Sequence, residues 1–365
     1  MKIMRHKNPL RGSQVISHEI LKENSYNNRH KIIVRNISKE SRKPFQENRA
    51  FRNITNLCCV IPKKLNEEQR INKEPIVSRS FTDRQKEINN TICLLEVNRG
   101  GQDKKVNPQL CEEYVDEIDT YVHSIERLHK IDPEYMQRQQ DINAWMRAIL
   151  IDWLVDLHIR FKLLTETLFL TVNIVDRYLN KEQVKTDHLQ LLGVTACLIA
   201  CKYEEIYPPE IKDFVYITNY TYTKEDILKL EQKVLNTLQF NFNIPSSNRF
   251  LERFGKVLGS SKKTILFAQY LLESSLVEYR MLKYSQSLIA SSALYTSHKL
   301  NNNTEKWGDE MWKLTAQTPK DLSPCIKDMI LLLEEAPKAS LQAVRKKFAT
   351  VKYMEVSQIK ICRKH

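Results

Sequence analysis

The fold is decided by three segments between residues 144 and 210: AWMRAILIDWLVDLHIRF (144–161), TETLFLTVNIVDRYLNK (165–181) and LQLLGVTACLIACKYEEIYPPE (189–210). In each segment apolar residues recur every three or four positions, which is the period of an α-helix packed on a core. The third segment also carries Gly193, Ala196 and Ala200, small residues that let neighbouring helices approach a central helix closely. These patterns predict a compact all-α domain.

More helices are predicted on both sides of this stretch. An apolar stripe marks the first of them, formed by Val115, Ile118, Tyr121, Val122 and Ile125. After a break at Asp132-Pro133, we predict the second helix over about 138–161 and the fourth over about 187–205. Thr165 is the expected cap of the third helix, with Glu166 in its first turn.

A further helix is expected to begin at a capping box, Thr223 to Asp226, and to end near Leu238. Asn243-Ile-Pro245 is then predicted to be a linker, and after it the apolar period typical of helices returns. Leu191–Lys202 aligns with Leu288–Lys299 at an offset of 97 residues, with small residues at matching positions. Two copies of one helical domain are therefore predicted.

The chain has 365 residues and a net charge of +13, and the charge is unevenly distributed. Residues 1–110 contain 23 Lys and Arg against 11 Asp and Glu, whereas residues 111–365 contain 34 against 33. The first 110 residues are polar and Asn-rich, so we expect them to be mostly disordered. The alternative to a function for this tail is that it serves only as a spacer. A basic folded face for nucleic acid is not expected, because the folded part is nearly neutral.

Several classes of chemistry lack sequence support. Only four glycines follow residue 110, so a Gly-rich phosphate loop is not expected, and the eight cysteines show no paired zinc-binding spacing. We therefore expect no cofactor and no metal. The start, MKIMRHKNPLRGS, has no apolar signal core, and no run of 18 apolar residues occurs. A soluble protein of the nucleus and cytoplasm, with no membrane partner, is expected.

The predicted helices resemble the cyclins, and most closely the mitotic B-type cyclins. Six blocks carry the resemblance: MRAILIDWLVDLH (146–158), TVNIVDRYL (171–179), LQLLGVTACLIACKYEEIYPPEI (189–211), YITNYTYTKEDILKLE (216–231), LIASSALYTS (288–297) and VRKKFATVKY (344–353). The resemblance implies two tandem five-helix cyclin boxes with a preceding N-terminal helix. The expected divisions are a basic tail with degradation signals (1–110), the N-terminal helix and first box (111–243), the second box (244–340) and a C-terminal extension (341–365).

The function implied by the resemblance is regulatory. A cyclin binds and activates a cyclin-dependent serine/threonine kinase, holds its C-helix in the active position, helps to recruit substrates and controls entry into or progress through mitosis. Such a protein is not itself an enzyme, and we find no nucleophile–base constellation in the sequence. Transcription initiation factors with tandem cyclin-like folds are the alternative, but they would need a basic folded face and an N-terminal zinc ribbon.

The resemblance also assigns two sites on the folded part. The kinase-binding residues it implies are Lys202, Glu231, Tyr203, Glu204, Glu205, Ile118 and Tyr121. The alternative for Lys202 and Glu231 is an internal salt bridge alone, and for Ile118 and Tyr121 it is packing within the chain.

The second implied site is an exposed apolar groove that binds Arg-x-Leu substrates or inhibitors, formed by Met146, Ile149, Leu150, Trp153, Asp156, Leu189 and Gln190. Asp156 stands where other cyclins often carry Glu or Gln, and the alternative for Met146 and Trp153 is that they complete the core.

The tail contains two candidate degradation signals for the anaphase-promoting complex. Lys22-Glu23-Asn24 is a KEN box. The segment NRAFRNITN (48–56) resembles a destruction box through Arg49, Phe51, Ile54 and Asn56, although Phe51 replaces the usual Leu and the leading Arg is displaced to position 49. The resemblance therefore implies ubiquitin-mediated degradation of the protein during cell division.

Overall fold

The computed structural model describes residues 111–300 and 308–359, and all regular structure within these ranges is helical. The predicted tail lies outside them. The α-helices are α1 Val115–Leu128, α2 Ala144–Phe161, α3 Thr165–Lys181, α4 Thr186–Glu204, α5 Ile211–Ile217, α6 Lys224–Thr237, α7 Ser247–Val257, α8 Lys262–Val277, α9 Gln286–Leu300, α10 Asp309–Thr315, α11 Pro319–Glu335 and α12 Ala343–Phe348. Helices α2–α6 form one five-helix bundle and α7–α11 form a second, which confirms the predicted fold class.

Helix α4 is the centre of the first bundle. Every residue from Leu189 to Cys201 is buried, because α4 packs against α2, α3 and α6 at once. Gly193 permits a close approach of α2. A Cβ atom at this position would lie 2.7 Å from Cδ1 of Leu150 on α2, so any other residue would force Leu150 to move. Helix α9 takes the central place in the second bundle, as the repeat predicted.

Two predicted helix starts are wrong in detail. The second helix begins at Ala144 and not near residue 138, because the side chain of Asn143 accepts a hydrogen bond from the Met146 N–H (3.0 Å) and caps it there. Thr165 is the first residue of α3 and not its cap. The carboxylate of Glu205 accepts a hydrogen bond from the preceding Leu164 N–H (2.7 Å) instead.

The capping box at the start of α6 is confirmed. Asp226 N–H donates to Oγ1 of Thr223 at 3.2 Å, and Thr223 N–H donates to Oδ2 of Asp226 at 3.0 Å. The same reciprocal arrangement joins Thr318 and Asp321 at the start of α11. Local sequence therefore sets both of these helix starts.

Helix α12 belongs to the core between the two bundles. Its residues Ala343, Val344 and Phe348 are buried in one cluster with side chains of both bundles. The N–H of Ala343 donates to Oδ1 of Asp152 on α2, 191 residues away, at 2.9 Å. The resemblance implied that residues 341–365 form a C-terminal extension. Helix α12 of this segment is instead part of the core between the two bundles.

A buried lysine fixes α12 further. Nζ of Lys347 donates to Oε1 of Glu273 on α8 (2.5 Å) and lies 3.2 Å from Nε2 of His158 on α2. Burial lowers the pKa of His158 well below 6.5, so its ring is neutral and can accept this hydrogen bond. One side chain thereby joins three helices.

Among the residues that the structure describes, the most deeply buried ion pair joins Arg147 of α2 to Asp176 of α3. Nε and Nη2 of Arg147 lie 2.6 and 2.7 Å from the two carboxylate oxygens, and the two side chains are 1% and 2% exposed. Tyr135 donates its hydroxyl to the same carboxylate (2.8 Å), and Nη1 of Arg147 donates to the Leu276 carbonyl at the end of α8 (3.0 Å). Burial alone would lower the pKa of Arg147, but the charge of Asp176 raises it, so the pair stays ionised.

Loss of this pair should destabilise the whole protein. We expect Arg147→Met to lower the free energy of unfolding by about 3–5 kcal/mol, because it leaves the Asp176 carboxylate buried without its partner. Arg138→Met is the matched control, since Arg138 pairs with Asp132 at the surface and its loss should cost no more than about 1 kcal/mol. Urea denaturation of both variants measures the difference, and equal losses would contradict the prediction.

The Asp152 carboxyl predicts a pH dependence of stability. Burial raises its pKa from 3.8 to about 6, although the Ala343 N–H opposes this. The folded protein therefore binds a proton that the unfolded chain releases, and stability should fall as the pH rises from about 4 through 6. The loss should reach at most about 3 kcal/mol. Asp152→Asn should remove it while keeping the acceptor for Ala343.

The measurement is the unfolding free energy of wild type and variant between pH 4.5 and 8. Asp141→Asn, at an exposed carboxylate, is the control and should keep the wild-type slope. A variant Asp152→Asn with the same pH slope as the wild type would show that Asp152 is not the titrating group.

Candidate functional site

Lys202 and Glu231 meet at the surface of the first bundle. Nζ of Lys202, in the last turn of α4, lies 2.6 Å from Oε1 of Glu231 on α6. The Lys202 side chain is 50% exposed, whereas that of Glu231 is only 10% exposed. The two predicted residues are thus brought together as an internal salt bridge. The lysine also remains open to solvent, where its other N–H groups can donate.

Large apolar side chains near Lys202 and Glu231 in the sequence are exposed. Tyr203 follows Lys202 directly, Ile206 and Tyr207 stand just beyond the end of α4, and Leu228 lies about one helical turn before Glu231 on α6. We call these four residues and the salt bridge the Lys202 patch. Ile206, at 73% exposure, makes the patch unusual, because clustered exposed apolar residues of this size mark interaction sites.

Sequence reasoning missed three members of the patch, Ile206, Tyr207 and Leu228. A signal was present for two of them. Ile206 and Tyr207 stand directly before Pro208-Pro209, where the helical stripe has ended and no core position remains. Leu228 gave no such signal, since an apolar residue on a helix such as α6 normally indicates the core.

The two glutamates after Tyr203 turn into the protein. Oε1 of Glu205 accepts hydrogen bonds from the Leu164 N–H (2.7 Å) and from Oγ1 of Thr167 (2.6 Å), so it caps α3. Glu204 is half-buried, and burial together with the carboxylates of Glu166 and Glu205 raises its pKa. Neither glutamate is directed outward as Lys202 is.

Helix α1 presents its two predicted contact residues differently. Tyr121 is exposed, and its hydroxyl accepts a hydrogen bond from Nδ2 of Asn243 (3.4 Å). Asn243 directly follows Phe242, whose ring lies beside the ring of Tyr203. Ile118 is half-buried beside Arg253 and Phe254 of α7. Tyr121 therefore continues the surface that begins at Lys202, and Ile118 packs within the chain.

The predicted groove on α2 is more closed than expected. All of its apolar residues are buried and contribute to the core: Met146, Ile149, Leu150, Trp153 and Leu189. For Met146 and Trp153 this is the alternative that the sequence left open. Asp156 is exposed beside them. Although the residue is exposed, its carboxyl group is partly surrounded by protein; this partial desolvation raises its pKa, and the charge of Lys346 opposes that rise.

Gln190 is the unusual residue of this region. It is 2% exposed, and within the described residues neither its amide nitrogen nor its oxygen has a hydrogen-bond partner. Such unpaired groups cost about 1–3 kcal/mol each, so they are uncommon unless a ligand completes them.

Trp145 and Ile159 were missed at this second site. Both are exposed, and they share the face of α2 that carries Ile149 and Asp156. Positions 145, 149, 156 and 159 are separated by four, seven and three residues, which places them on one face of a helix, and this spacing was the signal available in the sequence.

The degradation-signal residues Lys22, Glu23, Asn24, Arg49, Phe51, Ile54 and Asn56 lie outside the described residues. Residues 111–300 and 308–359 contain no cluster of three His, Cys, Asp or Glu side chains suited to a metal ion. None of the helices in these ranges has the length and apolar character needed to cross a membrane.

Comparison with known proteins finds a family match for each of the two bundles. Residues 117–243 match the family "Cyclin, N-terminal domain", and residues 245–361 match "Cyclin, C-terminal domain". The G2/mitotic-specific cyclin-B of Marthasterias glacialis is 46% identical over 253 residues, which are 69% of this chain and 65% of that protein. The G2/mitotic-specific cyclin-B of Dictyostelium discoideum is 41% identical over 256 residues, 70% of this chain and 59% of that protein. The matched segment thus spans less than two thirds of either relative.

The fold is also found in a solved structure. A viral cyclin from herpesvirus saimiri superposes with a TM-score of 0.56 and 21% identity, and it covers 61% of this chain and 99% of the viral chain. At this identity the likeness concerns the fold alone, two helical bundles in tandem. Taken with the two domain matches and the B-type relatives, it leads to one conclusion: the chain belongs to the cyclin family.

Proposed function

We propose that this chain is the regulatory subunit of a cyclin-dependent protein kinase and that it binds and activates the kinase around mitosis. The observation that carries the proposal is the Lys202 patch, a half-exposed salt bridge with exposed Tyr203, Ile206 and Leu228 close to its two residues in the sequence. An apolar surface with one central ion pair has the composition of a protein interface. The mitotic assignment is supported by the names of the B-type relatives.

The patch suggests how activation would work. A kinase is active when its movable C-helix is held inward and completes a Lys–Glu ion pair. The ammonium group of Lys202 gives one hydrogen bond to Glu231 and has two further N–H donors, which suit the free carbonyl groups at the end of a docked helix. Glu231 fixes the position of that ammonium group. Binding only the inward arrangement of the C-helix would shift the kinase population toward the active state.

Substrate recruitment is the second part of the proposal. Asp156 offers an exposed carboxylate to an Arg side chain. The buried amide of Gln190 would become an available donor and acceptor for a peptide backbone only once side-chain rotations open the groove. Met146, Ile149 and Trp153 would form the apolar floor for the Leu of an Arg-x-Leu segment once small rotations open it.

We further propose that the KEN box and the degenerate destruction box direct degradation through the anaphase-promoting complex, and that the protein works in the nucleus and cytoplasm.

The kinase interface is tested by removing the salt bridge. The double variant Lys202→Ala, Glu231→Ala should bind a purified cyclin-dependent kinase at least about tenfold more weakly, because the donors for the docked helix are lost. Calorimetric titration gives the affinity, and phosphorylation of a histone-type substrate gives the activation.

The double variant Lys233→Ala, Glu182→Ala is the matched control, since it removes an exposed salt bridge of 2.9 Å elsewhere on the first bundle. It should keep wild-type affinity. If both double variants bind the kinase like wild type, the Lys202 patch is not the interface.

The substrate site is tested by reversing one exposed charge. Asp156→Lys should weaken binding of an Arg-x-Leu peptide about tenfold or more, because attraction of the Arg becomes repulsion. Kinase activity toward a minimal peptide without the motif should not change. Glu335→Lys, at an exposed position on α11, is the control and should change neither value. Equal peptide affinity for Asp156→Lys and wild type would contradict the proposed docking.

A further inference from the structure

Helix α12 borders the docking groove proposed on α2. The N–H of Ala343 at its start donates to Oδ1 of Asp152 at 2.9 Å, and one turn later Nζ of Lys347 lies 3.2 Å from Nε2 of His158. The contact positions advance in the same direction along both helices, so α12 runs beside the second half of α2. The exposed side of α12 therefore continues the surface that carries Asp156.

Lys346 of α12 stands opposite Asp156 of α2. Each of the two residues lies between the two contact positions of its own helix, and both are exposed. The positive charge of Lys346 opposes the rise in the pKa of Asp156 and also acts on Asp152. The ammonium group is therefore within electrostatic reach of both carboxyl groups.

These two opposite charges are not used up by direct contacts. Among the residues that the structure describes, neither Lys346 nor Asp156 forms an ion pair or a side-chain hydrogen bond. Asp152 differs, because it is buried and its carboxylate accepts the N–H of Ala343. The docking site thus presents one exposed carboxylate and, beside it, one exposed ammonium group, and each can pair with a bound peptide.

Further cations stand close to this pair of charges. Arg160 follows Asp156 by four residues, so it shares the same face of α2, and it is exposed. Lys352, beyond the end of α12, is also exposed, and its charge contributes to the low pKa of His158. The surface next to the Asp156 carboxylate is therefore positively charged, and Lys346 is its nearest member in register.

The direction of a bound peptide decides which of its residues meets Lys346. The apolar floor for Leu lies at residues 146–153, whereas the Arg pairs with Asp156, further along α2. An extended Arg-x-Leu segment spans about 7 Å between these two side chains, which fits this order. Residues that precede the Arg then extend beyond Asp156, away from the apolar floor and along the seam between α2 and α12.

We propose that Lys346 is a specificity-determining residue of the docking site, which selects Arg-x-Leu segments with a carboxylate side chain one or two residues before the Arg. The inference rests on the proposed substrate docking and deepens it, because it names the class of segment that the site accepts. A Glu or Asp at that place pairs with Lys346 and leaves Asp156 to the Arg. A Lys or Arg at the same place meets a like charge and is disfavoured.

Binding of three fluorescent peptides to the full chain, measured by anisotropy, tests the proposal. The peptides share the core Arg-Ala-Leu and carry Glu-Glu, Ala-Ala or Lys-Lys directly before it. Wild type should bind the Glu-Glu peptide at least about fivefold more tightly than the Lys-Lys peptide, with the Ala-Ala peptide between them. The difference should shrink as salt is added, because exposed charges are screened. Equal affinity for the two charged peptides would overturn the inference.

Two charge-reversed variants locate the selection. Lys346→Glu should reverse the order of the two charged peptides. Lys320→Glu, exposed at the start of α11, makes the same change of charge elsewhere and should keep the wild-type order. An unchanged order in Lys346→Glu, with the Ala-Ala peptide still bound, would overturn the role of Lys346 and leave the docking proposal standing. If wild type binds none of the three peptides, the docking proposal itself fails, and this inference fails with it.

Discussion

The structure depends on one charge buried in its interior, the guanidinium of Arg147. This group joins α2 to α3 of the first bundle through its ion pair with Asp176. It also donates a hydrogen bond to the Leu276 carbonyl of the second bundle. The side chain is almost fully enclosed, so each of its N–H groups must find an acceptor at a fixed position. This requirement sets how the first bundle stands against the end of α8, and therefore how the surfaces on the two bundles are placed relative to each other.

The fold could be predicted well because its signals are local. The apolar period of residues 144–210, the small residues around Gly193 and the Thr223–Asp226 capping box each specify structure within a few residues. The helix start at Ala144 was misplaced although its signal is local, because Asn143 caps the helix through the N–H of Met146, three residues later. The start at Thr165 was misplaced for the opposite reason, since the donor at Leu164 is satisfied by Glu205, 41 residues away. Such a distant partner leaves no trace in the local pattern.

The candidate sites were predictable in position but not in exposure. Resemblance indicated Lys202 and Glu231, and the structure brings them together, but nothing in the sequence shows that Glu205 turns inward or that Ile206 remains exposed. Periodicity gives the face of a helix on which a residue lies. Whether that face is covered depends on the helices packed against it, and for α2 those include α12, almost two hundred residues later.

The position of α12 has a consequence for the kinetics of folding. Its contacts with Asp152 and His158 join residues 191 and 189 positions apart, and each such closure costs chain entropy before any contact stabilises it. A chain emerging from the ribosome forms α2 long before α12 exists to cover it. During that interval the face of α2 that later contacts α12 is exposed to water. The core of the first bundle is therefore completed only after α12 has formed.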